Sequence, residues 1–209
     1  MSADPSHPAP LRRDARLNRE RIVEVAHELF ARRGLDVPMA AVARHAGVGM
    51  ATLYRRFPTK EALVGEVFSH QFDLCVAVVD DALDDPDPWR GFVTVVEKVG
   101  EMQACDRGFS AAVSSAFPKV ADTAAERGRA LGRVAALVDR AKAAGKLRAD
   151  FALTDLMLVL MANDGVTADA PAATRVASQR LVAYLVNSFR AENAGVPLPP
   201  AVPLSVIKV

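Results

Sequence analysis

Pro38-Met39-Ala40-Ala41-Val42-Ala43-Arg44-His45-Ala46-Gly47-Val48-Gly49-Met50-Ala51-Thr52-Leu53-Tyr54-Arg55-Arg56-Phe57 lies a quarter of the way along a 209-residue chain. Pro38 has the fixed φ of a first helical position, Met39, Val42 and Ala43 follow at helical spacing, and Gly47 stops the run. A second short helix spans about Met50 to Arg56. Two short helices around the glycine-bearing turn Ala46-Gly47-Val48-Gly49 form a helix-turn-helix. Small Ala43 and Ala46 let the helices cross closely, while Val42, Val48 and Leu53 supply the wedge between them. The second helix is left to project Thr52, Tyr54, Arg55 and Arg56, hydroxyls and guanidinium groups of the kinds that bond phosphate and read guanine edges. On pattern alone the segment also fits an αα-hairpin with a basic solvated face.

Working outward, Ile22, Val25, Ala26, Leu29 and Phe30 mark one face of a helix from about Arg19, with Gly34 as its left-handed cap. Thr59 caps a fourth helix starting at Lys60, where an ammonium and a backbone amide can share one phosphate. Val64, Val67, Phe68, Gln71, Cys75, Val78 and Ala82 continue that helix unbroken to the acidic turn Asp84-Asp85-Pro86-Asp87-Pro88. A fifth helix has Asp87 as cap and Pro88 at its first position. A sixth covers about Arg107 to Phe117, a seventh opens at Pro118 and ends at Gly145, an eighth spans Asp155 to Asn163, and a ninth about Ala172 to Arg190. Nothing alternates with period two over a useful length, so the chain is expected to be all-α with about nine helices.

Net charge is +1 over the whole chain. Residues 11–60 hold eleven Arg and Lys against five acids, and residues 61–209 fifteen against nineteen. The near-neutral average therefore conceals a basic segment that coincides with the helix-turn-helix, the distribution of a nucleic-acid-facing module joined to a body that is not one. Two cysteines, Cys75 and Cys105, fit neither a disulfide scaffold nor a zinc ribbon and suit a reducing cytoplasm. The longest apolar run, Leu156 to Ala162, is far short of the ~20 residues of a membrane helix, and Met1 to Pro10 lacks the apolar stretch of a secretory signal.

The string from Arg21-Ile22-Val23-Glu24-Val25-Ala26-His27-Glu28-Leu29-Phe30 and Gly34, through Val42-Ala43, Ala46-Gly47-Val48, Thr52-Leu53-Tyr54 and Phe57, to Lys60-Glu61-Ala62-Leu63 closely resembles the DNA-binding domain of the TetR family of bacterial transcriptional regulators. The resemblance covers about residues 16–66. It implies that Tyr54 and Lys60 clamp phosphates, that Thr52 contacts the backbone or a base, and that Arg55 and Arg56 read bases. With Gly49 and Met50 at the start of the helix, the expected DNA-contacting set is Gly49, Met50, Thr52, Tyr54, Arg55, Arg56 and Lys60. Two departures stand out: Pro38-Met39 where many members have threonines, and Gly49 where a serine usually caps the recognition helix. Arg12, Arg13, Arg16 and Arg19 form either a minor-groove arm or a frayed charged terminus.

The expected organisation is an arm at 1–15, a DNA-binding domain at 16–63, an effector-binding and dimerisation domain at 64–193 and a Pro-rich tail at 194–209. The eighth and ninth helices have apolar faces too wide for one neighbour, which suggests a two-fold dimer reading half-sites about one turn apart, ~34–36 Å. The resemblance likewise places a homodimer interface on the last two helices. A pocket for a largely apolar small-molecule effector is expected among helices four to eight, with candidate walls Phe68, Phe72, Trp89, Phe92, Met102, Phe109, Phe117, Met157 and Met161 and polar groups His70, Gln71, Cys105, Asn163 and Asp164. Position by position, the same residues also fit plain core.

Rival chemistries find little support. Gly47-Val48-Gly49 follows a helix, not a strand, and Thr52 stands at the third glycine of a dinucleotide fingerprint. A calcium loop from Asp80 would need glycine at 85 and glutamate at 91, where Asp85 and Gly91 stand. Histidines 7, 27, 45 and 70 form no helical i, i+4 metal pair. No cofactor, metal, membrane or enzymatic nucleophile–base constellation is therefore expected. A cytoplasmic regulator binding a double-stranded operator, with repression as the family default, is the main reading. A helical protein-interaction adaptor without DNA affinity is the alternative, and an enzyme with a spatially assembled site ranks last.

Overall fold

The computed structural model describes residues 9–116 and 124–202, with side chains from 16 to 113 and from 131 to 202. Among the described residues ten α-helices follow one another: α1 (Ala9–Arg33), α2 (Met39–Ala46), α3 (Met50–Arg56), α4 (Lys60–Val67), α5 (Ser69–Asp84), α6 (Pro88–Cys105), α7 (Arg107–Ala116), α8 (Ala124–Ala143), α9 (Leu153–Asp164) and α10 (Pro171–Phe189). Short 3-10 turns cover Gly34–Asp36 and Ala191–Asn193. Among the described residues there is no strand beyond a single bridge between Leu147 and Arg190. The all-α expectation holds.

The chain divides into two compact units, Met1–Phe68 and Ser69–Val209. Three local results differ from the sequence reading. First, α1 begins at Ala9, so the backbone of part of the expected arm is helical. Second, the fourth helix is not continuous: it stops at Val67, and α5 starts at Ser69. Phe68 leaves the helical region (φ −109°, ψ 14°), and its ring is fully buried beside His27 at 5.7 Å and Phe30 at 6.3 Å. The division between units accordingly falls five residues beyond the expected boundary after residue 63. Third, Pro38 is the extended N-cap of α2 and Met39 its first residue. The expected start of a helix at Pro118 lies outside the described residues.

The first unit is built by α1 lying against α2 and α4, with Ile22, Ala26, Phe30, Val42, Leu53, Phe57, Leu63 and Phe68 buried between them. The ends of its helices are set locally. Gly47 has φ 68°, and behind it the Val48 amide donates to Ala43 O at 3.0 Å and the Gly47 amide to Arg44 O at 3.3 Å. This double closure is the Schellman motif, which a residue with a Cβ enters only with strain. Thr59 Oγ1 accepts from the Ala62 amide at 3.1 Å and starts α4, as its sequence position requires.

The second unit packs α6 centrally, against α5, α7, α8, α9 and α10. Asp87 Oδ1 accepts from the amides of Trp89 and Arg90, with Pro88 at the first helical position. Gly91 lies so close to α5 that a Cβ there would sit 2.5 Å from Ala82 O. Trp89, Phe92, Phe151 and Phe189 form the aromatic centre of this core, Phe151 and Phe189 edge to face at 4.9 Å. Around it, Arg140 donates to the carbonyls of Leu83 and Asp85 and fastens α8 to the end of α5.

A buried Arg148 holds the chain after α10. Its guanidinium pairs with both Asp150 oxygens, at 2.6 and 2.9 Å, and donates to Val196 O at 3.0 Å. Asp150 in turn accepts from the Leu198 amide at 2.9 Å. The Arg148 bond and the Leu198 amide hold the Asp150 carboxyl well below the usual carboxylate range.

Candidate nucleic-acid interface

The second helix of the helix-turn-helix is α3. Its N-cap, Gly49, is extended and offers no side-chain cap, and the amides of Thr52 and Leu53 both close on Gly49 O at 3.0 Å. Leu53 is fully buried and anchors the helix to the unit. At helical spacing this leaves Met50, Ala51, Tyr54 and Arg55 exposed, two pairs one turn apart on a single face. Tyr54 shows 45% of its surface and Met50 39%, large values for side chains of this kind within a packed unit.

Not all the expected residues share that face. Thr52 and Arg56 flank it half-buried, and Arg56 Nε is buried with no hydrogen-bond partner. Ala51, which the sequence reading passed over, lies squarely on the exposed face. A helical wheel laid on Leu53 as the inward point would have found it. Lys60 is half-buried at the first turn of α4. On α2, Arg44 and His45 are exposed at the C-terminal end, where His45 Nδ1 lies 2.7 Å from Ala41 O. The arginines of α1 differ from one another. Arg16 lies 3.4 Å from Glu20, and Arg19 is bound to Glu66, so neither is a free arm residue. The side chains of Arg12 and Arg13 lie outside the described residues.

This arrangement presents a short helix behind a fixed glycine turn, with a phenol and a guanidinium standing out from one face, on a unit rich in positive charge. Comparisons with known proteins give the same direction. Residues 22–67 match the profile of bacterial regulatory proteins of the tetR family, and residues 87–188 match the C-terminal domain of SbtR-like transcriptional regulators. A TetR transcription regulatory protein of Mycobacterium vanbaalenii is 31% identical over 87% of this chain and 99% of its own, with a TM-score of 0.45.

The chain belongs to the TetR family of bacterial transcriptional regulators. An HTH-type transcriptional regulator of Staphylococcus aureus is similar to it, 38% identical over 76 residues. That match takes in 36% of this chain and only 41% of the staphylococcal protein. The fold is also that of FadR of Thermus thermophilus, a TetR-family repressor solved with lauroyl-CoA, at 21% identity over 88% of this chain and 99% of that one and a TM-score of 0.51.

The expected effector-site residues of this TetR-family chain scatter over several environments. Phe72 and Phe109 meet at 5.6 Å, and Met102 Sδ accepts from Cys75 Sγ at 4.0 Å. Burial pushes the Cys75 thiol up to about 11. Met157 is buried, and Gln71 and Met161 are half-buried. Phe68 belongs to the DNA-binding unit's core, and Trp89 and Phe92 to the aromatic centre of the second unit. His70, Cys105 and Asp164 are exposed, and Phe117 lies outside the described residues.

Asn163 is buried and fully engaged. Its amide donates to Gly100 O and Gln103 Oε1, both at 3.1 Å, and its oxygen accepts from Ser178 Oγ at 2.7 Å. Gln103 closes the network on Leu160 O at 3.3 Å, joining α6, α9 and α10 through polar groups. Sequence spacing offered no signal for this assembly, since its members come from three helices. Among the described residues no cluster of three His, Cys, Asp or Glu side chains could hold a metal ion, and no single helix is long and apolar enough to cross a membrane.

Proposed function

We propose that this TetR-family regulator is a repressor that binds a pseudo-palindromic operator as a homodimer and lets go when a largely apolar small molecule occupies its second unit. The observation that carries the reading is the exposed face of α3, with Tyr54 and Arg55 held outward by buried Leu53 and the left-handed Gly47 turn. Arg55 is the residue for base readout, and a bidentate arginine–guanine pair discriminates by ~1–3 kcal/mol. Tyr54 and Lys60 hold phosphates and set the docking register. Gly49, Met50 and Thr52 complete the approach to the DNA, and Arg56 contacts it from the flank of the helix.

The dimer forms through α9 and α10. Leu158 on α9 and Val176 and Tyr184 on α10 are more than half exposed, an unusual surface for apolar side chains unless another chain covers them. Arg180 stacks on Tyr184 at 5.1 Å and bonds its hydroxyl at 2.8 Å, fixing the ring on that face. Two-fold symmetry then requires two half-sites about one turn apart, ~34–36 Å.

For the effector, the Phe72–Phe109 pair with Met102 and Cys75 offers soft, rearrangeable apolar surface. A ligand that binds one arrangement of the dimer better weakens the operator complex by the usual coupling, ~1–3 kcal/mol. The lauroyl-CoA complex of FadR is an acyl ligand held by the same fold. Selection of preferred duplexes from a random pool with the purified protein, followed by footprinting upstream of its own gene, tests the reading. Enrichment of a two-fold symmetric site supports it. Failure to enrich any sequence contradicts it.

A further inference from the structure

Of the three arginines described on the first half of α1, two are spent on carboxylates: Arg16 on Glu20 and Arg19 on Glu66. Arg21 is not. It is exposed, and among the described residues no carboxylate or carbonyl takes any of its guanidinium protons. Its position is nevertheless defined. Arg21 Nη2 lies 3.8 Å from where a Cβ on Gly47 would stand, so the side chain of an α1 residue reaches across to the turn between α2 and α3.

Two physical readings compete for a guanidinium in that place. It could cap the C-terminal end of α2, since arginines do bond the last carbonyls of a helix. However, Ala43 O and Arg44 O are already taken by the amides of Val48 and Gly47, and no bond from Arg21 to any α2 carbonyl is present. An arginine has five donors in a fixed fork, a shape suited to the paired oxygens of a phosphate. Gly47 is three residues before Met50, at most ~11 Å along the chain. An arginine at the turn therefore stands beside the groove that α3 would enter, within reach of the bordering backbone rather than of the base edges.

We infer that Arg21 is a phosphate-positioning residue of the DNA-binding unit, carried on α1 and delivered beside the Gly47 turn. The inference rests on the proposed DNA-binding function and adds to it a contact from outside the two helices of the motif. Binding of the full chain to a mixed-sequence DNA duplex over a salt series tests it. Each neutralised phosphate contributes about −0.9 to the slope of log affinity against log salt.

Arg21→Met keeps most of the apolar stem and removes the charge. It is expected to make the slope shallower by about 0.9 and to weaken binding roughly five- to tenfold at low salt, with the thermal midpoint unchanged. Arg21→Lys should restore the slope, and Arg107→Ala on α7, outside the proposed DNA face and dimer helices, should leave it as in the parent. A parent-like slope for Arg21→Met overturns the inference while leaving the function standing, as does weakened binding that merely tracks a lowered thermal midpoint. A parent protein without salt-dependent duplex binding overturns the function and the inference together.

Discussion

Arg19 Nε donates to the Glu66 carboxylate at 3.1 Å while its guanidinium lies 4.9 Å over the ring of Phe57. One side chain of α1 thus grips α4 and covers the residue that ends the recognition helix. Both charged partners are about 40% exposed, so solvent screens much of the pairing. Arg19→Ala should lower the stability of the DNA-binding unit by about 1 kcal/mol, the sum expected of a screened pair and an exposed cation–π contact. Chemical denaturation of the full chain checks this, and the loss should shrink in high salt.

Gly91 lets α6 pack tightly against the end of α5. Gly91→Ala places a methyl group 2.5 Å from Ala82 O, a backbone atom that cannot swing aside. The helices must separate, at a cost of about 1–3 kcal/mol. A fall in melting temperature of the second unit is the expected result. An unchanged melting temperature would mean that α6 can slide without loss.

The Asn163 network carries a different liability. Asn163→Leu leaves the Ser178 hydroxyl and the Gln103 side chain short of partners inside the second unit. Burial without a partner costs about 1–3 kcal/mol per group. Ser178→Ala removes a single hydroxyl, which donates to Asn163 Oδ1 at 2.7 Å and reaches Gly100 O at 3.4 Å, and should be milder. Denaturant midpoints of the two variants, ranked against the parent, test this order.

Cys75 and Cys105 should separate by reactivity. Cys105 is exposed, whereas burial raises the Cys75 thiol from 9.0 to about 11. At pH 8, a thiol reagent should label exposed Cys105 quickly and half-buried Cys75 more slowly. The same shift fixes a sign for stability. The unfolded chain loses its thiol proton near pH 9 while the folded chain keeps it to about 11, so stability falls as pH rises through that window. Cys75→Ala should flatten this alkaline loss, which denaturation between pH 8 and 11 would reveal.

Much of the architecture was legible because its signals are local. The Thr59 and Asp87 caps, the Gly47 turn and the bounds of α3 follow from residues adjacent in sequence. Phe68 was not legible as a break, because one irregular residue leaves the apolar spacing on either side intact. Its reason is tertiary, a ring driven into the core beside Phe30. Arg148 carries no distinguishing signal in its neighbouring residues, yet it is buried and ties Asp150 to Val196. For the interface, residue types pointed to α3, but only burial told Ala51 from Thr52 and gave Arg21 its place beside the turn.

In the proposed function, the outward face of α3 reads DNA sequence. The most direct measurement compares the sequence preference of the parent protein with those of Arg55→Ala and Tyr54→Ala, each selected against the same random duplex pool. Arg55→Ala is predicted to relax preference at particular bases, at ~1–3 kcal/mol per lost contact. Tyr54→Ala is predicted to weaken all sequences alike. If Arg55→Ala selected the parental sequence with undiminished preference, Arg55 would not be the reader and the account of α3 would be contradicted.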